Sequence, residues 1–275
     1  MELRNGTSPL SGAQSVDRAL ALLALIGRHS ASGIGLSDLV ARSALNKATV
    51  RRLLLALIRS GLVEQDGVTR SYHLGEQAFV LGTQAQARHG LLKLATESLV
   101  RLARETGDAA FISVRRGMSS VCLHREDGPH PIRTFALMPG GEHPLGVGAG
   151  SLAMLAALPD SEVEAVLQAN AALLRENYPN LQPAVLREHV ARTRLEGHAL
   201  NPGLIFEDSW GLGVALRDPD GNLAGALSLA AVESRMKPAR RAELVARLKS
   251  EATEIEKRLA QARATRPGRA ERRDK

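Results

Sequence analysis

The sequence predicts an α/β (α+β) protein of two domains, and three observations lead to that prediction. Two short amphipathic helix patterns joined by a tight turn occupy residues 36–57, and two strand-like runs follow them. Between residues 91 and 262, strand-like and helical patterns alternate, as expected for a sheet covered by helices. The chain of 275 residues is also longer than one small helical domain requires, so there is room for a second domain.

The paired helices of residues 36–57 each have one apolar stripe at helical spacing. The stripes consist of Leu36, Leu39 and Val40 on the first helix and of Val50, Leu53, Leu54 and Leu57 on the second. Each helix therefore buries one face and leaves the other free. This is the arrangement of a helix-turn-helix, and it makes DNA the expected partner. An ordinary helical hairpin with a solvated basic face is the alternative.

The second of these helices begins with basic and hydroxyl side chains. Asn46 stands where an N-cap is expected. The residues expected to contact DNA follow it on the first turns, and they are Lys47, Ala48, Thr49, Arg51 and Arg52. Lysine and arginine can pair with guanine edges or hold phosphate oxygens. This helix is therefore the predicted recognition helix.

The flanking sequence predicts a third helix and a wing. A helical pattern over residues 15–28 comes first, and the two strand-like runs flank Asp66-Gly67, a dipeptide that suits hairpin turns because it tolerates positive φ. Three helices followed by a hairpin make a winged helix-turn-helix. Arg70 on the wing is expected to reach a flanking minor groove or a phosphate, with a solvated surface arginine as the alternative.

The remaining patterns supply the second domain. A helical pattern at residues 76–89 leads into another at 91–105. The patterns that follow are strands at 109–115, 120–124 and 132–137, helices at 151–157, 161–170 and 183–197, two strands around a turn at 218–221, and a helix over 238–262. This order predicts a central antiparallel sheet with helices against it.

Charge is concentrated at the two ends of the chain. Residues 1–75 contain nine Lys and Arg against five Asp and Glu, and residues 257–275 contain eight against two. The intervening residues contain 19 against 22. The net charge of +7 therefore does not reflect a generally basic protein. It indicates a DNA-binding N-terminal domain attached to a second domain with a different function. The basic tail, residues 263–275, is predicted to be disordered.

Composition and motif spacing exclude several classes of protein. The single cysteine, Cys122, rules out an internal disulfide, and no Cys/His grouping has the spacing of a zinc site. No P-loop, dinucleotide fingerprint or acid/base constellation is present, so no cofactor, no metal and no enzyme activity are expected. No apolar stretch suits a signal peptide or a membrane span, which predicts a cytoplasmic location and no membrane partner. Aromatic residues form only 3% of the chain, which favours duplex DNA over stacked single strands.

Seven segments resemble the successive signatures of one protein family. The N-terminal segments read Ser-Val-Asp-Arg-Ala-Leu at 15–20, Leu-Ser-Asp-Leu at 36–39, Lys-Ala-Thr-Val-Arg-Arg-Leu-Leu at 47–54 and Tyr-His-Leu-Gly at 72–75. The later ones read Met-Pro-Gly-Gly-Glu-His-Pro-Leu at 138–145, Gly-Leu-Gly-Val-Ala-Leu-Arg-Asp at 211–218 and Ala-Leu-Ser-Leu at 226–229. In order and spacing they are similar to the IclR family of bacterial transcriptional regulators, over residues 13–260.

The resemblance implies a division of the chain and a mode of assembly. It implies a winged helix-turn-helix DNA-binding domain at 13–75, a linker helix at 76–90 and a GAF-like effector-binding domain with a central antiparallel sheet at 91–262. It also implies a homodimer or a tetramer, as a dimer of dimers, that binds pseudo-palindromic operators.

The resemblance further implies an effector site of six positions, taken from family members that bind small oxo-acids. In this sequence they are Gly140, Ala149, Asn201, Gly211, Ser228 and Ala230. Gly140 and Ala149 would offer backbone amides to a carboxylate at a helix start. At positions 201, 211 and 230, however, asparagine replaces an aspartate, glycine a cysteine and alanine a serine. The pocket is therefore expected to be roomier and less polar and to take a larger organic acid, aromatic acids included, with Asn201 as a donor. For Gly140, Asn201 and Gly211 a purely structural turn role is the alternative.

Three hypotheses from different classes follow. The first is a transcriptional regulator whose operator affinity changes when a small-molecule effector binds the second domain. The alternative is an architectural DNA-binding protein without a ligand, which predicts no saturable small-molecule binding. An enzyme with a DNA-binding appendage is disfavoured, because the sequence lacks an acid/base or metal constellation.

Overall fold

The computed structural model describes residues 13–29, 32–86, 90–132, 134 and 137–265. The chain divides into two compact units, residues 1–89 and residues 90–275, and each has its own apolar core. Within the described ranges, no helix combines the length and the apolar character that crossing a membrane requires.

The first unit consists of three helices, a short hairpin and a fourth helix. Its elements are α1 (Gln14–Gly27), α2 (Leu36–Ser43), α3 (Lys47–Arg59), β1 (Val63–Gln65), β2 (Tyr72–Leu74) and α4 (Glu76–Gln86). The core contains the apolar stripe of α3 together with Leu22, Ile26, Leu39 and Tyr72. Burying one such leucine stabilises the fold by about 1.5–3 kcal/mol. The predicted winged helix-turn-helix is confirmed.

The turn between α2 and α3 owes its shape to two residues. Ala44 ends α2 in the left-handed conformation, with φ 54°. Asn46 is extended, and its Oδ1 accepts a hydrogen bond from the backbone N of Thr49 at 2.8 Å. The N-cap predicted at Asn46 is therefore confirmed, and it satisfies one of the free amides at the start of α3.

The tip of the hairpin differs from the prediction. Gly67 does not adopt a positive φ, whereas Arg70 does, with φ 61°. The physical reason is the length of the connection. Because β1 and β2 are joined by residues 66–71, the loop is longer than the two-residue turn that an Asp-Gly dipeptide forms.

Helix α4 has few neighbours among the described residues of its unit. Phe79 is 75% exposed, Leu81 is also exposed, and Gly82 has no atom within 4 Å of the position that a Cβ would take. The helix corresponds to the predicted linker as far as Gln86, and residues 87–89 of that prediction lie outside the described ranges. An isolated helix of this length is marginal in water, so α4 requires a packing partner to be stable.

The second unit is a six-stranded antiparallel sheet between two helical layers. Its elements are α5 (Leu91–Thr106), β3 (Ala109–Arg116), β4 (Ser119–Glu126), β5 (Glu142–Pro144), α6 (Ala149–Ala156), α7 (Asp160–Asn177), α8 (Pro183–Glu196), β6 (Ala199–Pro202), β7 (Ser209–Arg217), β8 (Leu223–Val232) and α9 (Pro238–Ala264). The strand order is β5-β4-β3-β8-β7-β6, with every neighbouring pair antiparallel. The predicted α/β (α+β) class with a central antiparallel sheet is confirmed.

The two faces of the sheet meet different helices. Along β8, Leu227 and Leu229 belong to the core that α5 and α9 cover. The alternate residues Ala226, Ser228 and Ala230 point to the opposite face, because side chains alternate along a strand. Helix α6 lies on that second face, and its buried residues form another core with α7 and α8.

Helix α6 approaches the sheet closely because β7 has a glycine beneath it. A Cβ on Gly213 would lie 2.4 Å from the carbonyl oxygen of Ala149 and 2.7 Å from the backbone N of Gly150. No side chain fits in that space. The absence of one at Gly213 therefore places the first turn of α6 directly on the backbone of β7.

The predicted strand at 132–137 and the predicted start of the tail at residue 263 require correction, and two short strands were not predicted. No strand occupies residues 132–137 where they are described, at 132, 134 and 137, and the edge strand is β5 instead. Strand β6 was not predicted either, since four residues between a helix and a turn give too short an alternation to detect. The last helix extends to Ala264, and residues 266–275 of the predicted disordered tail lie outside the described ranges.

Candidate DNA-binding surface and effector cavity

The start of α3 presents the predicted DNA contacts to solvent. Lys47, Ala48, Arg51 and Arg52 are exposed, while Thr49 is half-buried. None of the three basic side chains forms an ion pair or hydrogen bond with a described residue of the chain. Their positive charge is therefore available to phosphates or to guanine edges.

The predicted contact on the wing, Arg70, is exposed and belongs to an ordered turn. Its backbone N donates to the carbonyl oxygen of Asp66 at 3.1 Å, and its carbonyl oxygen accepts from Nε2 of Gln65 at 2.9 Å. The carboxylate Oδ1 of Asp66 accepts from the backbone N atoms of Val68 at 2.9 Å and Thr69 at 2.6 Å. These hydrogen bonds, that from the Thr69 backbone first, lower the pKa of Asp66.

In the second unit a cavity of about 60 Å³ lies between the first turn of α6 and the face of β7 and β8. Five of the six predicted effector residues line it, namely Ala149, Asn201, Gly211, Ser228 and Ala230. The sixth, Gly140, does not. It is exposed, and its backbone N donates to the carbonyl oxygen of Cys122 at 2.8 Å with φ 77°, which fits the structural turn role.

The first turn of α6 forms one wall of the cavity. Gly148 precedes the helix with φ 87°, a conformation that favours glycine, and no side chain caps the helix. Among the residues of this turn, Ser151 is committed elsewhere, because its Oγ accepts from the backbone N of Gly146 at 2.9 Å and donates to the carbonyl oxygen of Pro144 at 3.3 Å. The wall therefore offers backbone amides and the positive end of a helix dipole.

Asn201 on β6 has its two polar atoms in different roles. Its Oδ1 accepts a hydrogen bond from the backbone N of Leu204 at 3.1 Å, and its Nδ2 forms none with the described residues. The side chain is buried and lines the cavity. Asn201 can therefore donate to a ligand while it holds the loop after β6.

Small residues on the sheet determine the shape of the cavity floor. A Cβ on Gly211 would lie 3.1 Å from the Cβ of Ala149, so any side chain there would press on the helix. The Oγ of Ser228 lies 3.0 Å from where a Cβ on Gly150 would be, so this glycine leaves room beside the hydroxyl. Glycine at 211 and alanine at 230 thus widen the space that polar side chains would otherwise fill.

Other lining residues were not predicted as site residues. Ser113, Ser120 and Ser209 contribute buried hydroxyls, and Phe111 contributes aromatic surface. The ring of Trp210 instead packs on the other face of the sheet, with the α5 and α9 core and near Arg241. The residues come from strands β3, β4 and β7, whose pairing brings them together. The period-two alternation of the sequence does place Phe111 and Ser113 on one face of β3. That pattern does not show which strand lies next to β3, so it could not identify these residues as neighbours of the site.

His143 on β5 is a further lining residue. Its Nδ1 lies 2.9 Å from the hydroxyl of Tyr178, and burial raises the pKa of that tyrosine. No lysine or arginine lines the cavity among the described residues. Across the same residues, no three His, Cys, Asp or Glu side chains converge as metal ligands would. An anion in the cavity would therefore depend on amides, hydroxyls and His143.

The sequence of this chain matches the models of two domains from one protein family. The model of the IclR helix-turn-helix domain matches residues 15–67, and that of the bacterial transcriptional regulator IclR C-terminal domain matches residues 83–257. The HTH-type transcriptional regulator BhcR of Paracoccus denitrificans is 28% identical over 243 residues, which are 86% of this chain and 83% of that protein.

Solved structures share the fold over most of the chain. A putative IclR transcriptional regulator from Silicibacter sp. TM1040 has a TM-score of 0.77 and 31% identity, covering 89% of this chain and 96% of that one. An IclR homologue from Microbacterium hydrocarbonoxydans, complexed with 4-hydroxybenzoate, has a TM-score of 0.74 and 21% identity, covering 91% of this chain and all of that one. At that identity the second likeness concerns the fold alone.

Proposed function

The chain belongs to the IclR family of bacterial transcriptional regulators, and we propose that it binds a pseudo-palindromic operator under the control of a small carboxylic acid. As a family member it has a helix-turn-helix DNA-binding domain and a C-terminal effector domain, and its relatives are regulators rather than enzymes. We assign DNA binding to residues 13–75, the linker to 76–90 and effector binding to 91–262.

The free basic face of α3 supports the assignment of operator contacts. In a helix-turn-helix the first turns of the second helix meet base edges in the major groove. Lys47, Arg51 and Arg52 are exposed there without ion pairs to described residues, next to Ala48 and Thr49. Arg70 lies on the wing, from which it reaches the DNA beside the half-site.

The exposed apolar surface of the first unit supports a homodimer. Phe79 and Leu81 on α4, together with Val16 and Leu20 on α1, are large apolar side chains that solvent contacts. Large exposed apolar side chains on one helix, such as Phe79 and Leu81 on α4, are candidates for an interaction surface. A second copy would cover it, and a two-fold axis would match a pseudo-palindromic operator. A dimer of dimers is the next level of assembly.

The start of α6 is the feature of the cavity that favours a carboxylate. The free amides of a helix N-terminus and its dipole attract an anion. Nδ2 of Asn201 and the hydroxyl of Ser228 supply donors to a second oxygen of the ligand. The wall at Gly211 and Ala230 adds no polar group, so the rest of the ligand meets carbon atoms.

The size of the cavity favours a compact acid. Its volume is about 60 Å³, and one water position needs roughly 10–15 Å³ on this measure. A ligand of a few heavy atoms fits the structure as it stands. An aromatic acid, the class found in the homologue bound to 4-hydroxybenzoate, requires movement of the side chains that close the cavity, among them Leu137 and Ile205.

The test is a thermal-shift screen of the full chain against short aliphatic acids, oxo-acids and aromatic acids. A ligand that binds the native state raises the melting temperature. We expect a saturable rise with an acid, which Ser228→Ala weakens and Ser119→Ala, a change on β4 outside the cavity, preserves. No saturable shift with any acid would contradict the proposal and favour an architectural protein without a ligand.

A further inference from the structure

The cavity of the second unit is bordered by buried polar groups that have no partner within the described protein. Ser120, Ser209 and Ser228 are 5%, 8% and 6% exposed, and their hydroxyls form no hydrogen bond with any residue that the structure describes. Nδ2 of the buried Asn201 is in the same position. Buried polar atoms in proteins are nearly always hydrogen-bonded, so four such groups around one cavity require an explanation.

These groups lie at two different ends of the cavity. The Oγ of Ser228 on β8 lies beside Gly150 in the first turn of α6, and Asn201 lies on β6. Ser120 lies on β4, and β3 separates that strand from β8. A carboxylate at the start of α6 therefore supplies acceptors to Ser228 and Asn201, but it leaves the hydroxyl of Ser120 without a partner.

The second end of the cavity, formed by Ser120 and His143, is polar and well ordered. The two residues pair directly across β4 and β5, which places their side chains on one face with Cβ atoms about 4.5–5.5 Å apart. Nδ1 of His143 lies 2.9 Å from the hydroxyl of Tyr178, and the two rings meet edge to face with centroids 6.2 Å apart. None of the six positions inferred from the family resemblance belongs to this end.

The group that binds at the second end has to be neutral. Within the described part of the chain, the residues around the cavity include no lysine or arginine. A second carboxylate there would be a buried charge without a counterion, which is strongly unfavourable. A hydroxyl carries no charge and both donates and accepts hydrogen bonds, so it matches the hydroxyl of Ser120 beside an imidazole.

We propose that the cavity binds a short hydroxy acid, with its carboxylate at the start of α6 and its hydroxyl at Ser120. This inference rests on the proposed effector-binding function and adds the chemical class of the ligand. The cavity of about 60 Å³ corresponds to about four to six water positions. A hydroxy acid of two to four carbon atoms has about five to seven non-hydrogen atoms, which fits a space of that size.

The experiment compares matched acids that differ by one hydroxyl, with the full chain and isothermal titration calorimetry. The pairs are acetate and glycolate, propanoate and 3-hydroxypropanoate, and butanoate and 4-hydroxybutanoate. A site that hydrogen-bonds a ligand hydroxyl rejects the analogue without it, because its own polar group then stays unpaired. In at least one pair we expect the hydroxylated acid to bind about tenfold more tightly or better.

Two variants locate the hydroxyl within the cavity. Ser120→Ala is expected to reduce the affinity ratio of the preferred pair to about twofold or less, since the partner of the ligand hydroxyl is removed. Ser228→Ala, at the other end, is expected to weaken both acids of the pair alike and to preserve the ratio. Ser119→Ala, on the same strand as Ser120 but outside the cavity, is expected to change neither affinity.

The melting temperature without ligand separates binding from a structural role. Because the hydroxyl of Ser120 has no partner in the described structure, Ser120→Ala is expected to melt at least as high as wild type. A lower melting temperature together with an unchanged affinity ratio would show that this hydroxyl supports the fold, and it would overturn the inference.

The wild-type titrations distinguish failure of this inference from failure of the proposed function. Saturable binding with equal affinities in all three pairs would overturn the hydroxy acid while carboxylate binding stood, and Ser120 would then face water only. If none of these acids and no other carboxylic acid binds, the proposed effector function fails together with the inference.

Discussion

Oδ2 of Asp108 accepts a hydrogen bond from Nη2 of Arg240 at 2.6 Å, and this pair joins the start of β3 to the first turn of α9. Oδ1 of the same carboxylate accepts from Nε of Arg235 at 2.7 Å, and the side chain of Asp108 is only 1% exposed. Both arginines also donate to the carbonyl oxygen of Thr106. One buried anion thus fixes α9 against the sheet.

Replacing Asp108 should lower the stability of the second unit substantially. Asp108→Ala leaves two partly buried guanidinium groups without their carboxylate, and we expect the free energy of unfolding of the second unit to fall by about 3 kcal/mol. Urea denaturation measures it. Asp160→Ala is the control, because Asp160 pairs with Arg194 in an exposed position and should cost less than about 1 kcal/mol. Similar losses in the two variants would contradict the prediction.

The N-cap of the recognition helix makes a separate, smaller contribution. Asn46→Ala removes the acceptor for the backbone N of Thr49, and we expect it to destabilise the first unit by about 1 kcal/mol. Thermal unfolding followed by circular dichroism measures the change. Asn46→Ser retains a capping oxygen and should recover most of the stability. An alanine variant as stable as wild type would mean that the cap is energetically redundant.

The donor at Asn201 predicts a preference for anions. Asn201→Asp keeps an acceptor for the backbone N of Leu204 but replaces Nδ2 by a charged oxygen. We expect carboxylate ligands to bind about tenfold more weakly or worse, since a donor becomes a like charge. Isothermal titration calorimetry with an acid from the screen measures the change, and tighter binding by the aspartate variant would contradict it.

The buried thiol of Cys122 predicts a loss of stability in alkaline solution. Burial raises its pKa from 9.0 to about 11. Above pH 9 the unfolded chain loses this proton while the folded chain retains it, so the free energy of unfolding falls as the pH rises, by up to about 2–3 kcal/mol near pH 11.

Cys122→Ala isolates this effect from other groups that titrate in the same range. The difference in stability between wild type and Cys122→Ala should become smaller between pH 9 and pH 11, measured by urea denaturation at each pH. A difference that stays constant over that range would show that the thiol ionises in the folded chain as it does in the unfolded one.

The exposed ring of Phe79 predicts dependence on a second copy. Phe79→Ser removes the largest apolar side chain from the uncovered face of α4, and we expect the dimer to dissociate at concentrations where wild type stays associated. Sedimentation equilibrium measures the molecular mass. Val68→Ser, at the wing tip and more exposed than Phe79, should leave the mass unchanged. A wild-type chain that is monomeric at every concentration would exclude this interface.

The sequence predicted the elements with long periodic patterns and missed those defined by contacts far along the chain. The apolar stripe of α3 and the cap at Asn46 are local signals, and they determine where that helix starts and which face it buries. Strand β5 contains three residues and exists because Ser120 pairs with His143, a relationship that no local pattern reveals. The positive φ expected at Gly67 occurs instead at Arg70 for a local reason, because a six-residue loop held by the side chain of Asp66 replaces the two-residue turn.

The residues of the candidate site also fall into those that the sequence predicted and those that it did not. Five of the six residues inferred from the family resemblance surround one cavity, whereas Gly140 lies apart from it. The hydroxyls of Ser113 and Ser120 line the same cavity, although nothing in the sequence distinguishes them from other strand serines. Their place depends on the register between β3 and β4, which includes an irregularity between Ile112 and Ser113.

The close approach at Gly213 has a mechanical consequence. Where side chains separate a helix from a sheet, rotamer changes can absorb a small displacement of the helix. Here the carbonyl oxygen of Ala149 lies directly over the backbone of β7, so no side chain between them can absorb a displacement. Protein interiors are stiff and transmit strain. We therefore expect a ligand that draws the first turn of α6 by a fraction of an ångström to shift β7 with it.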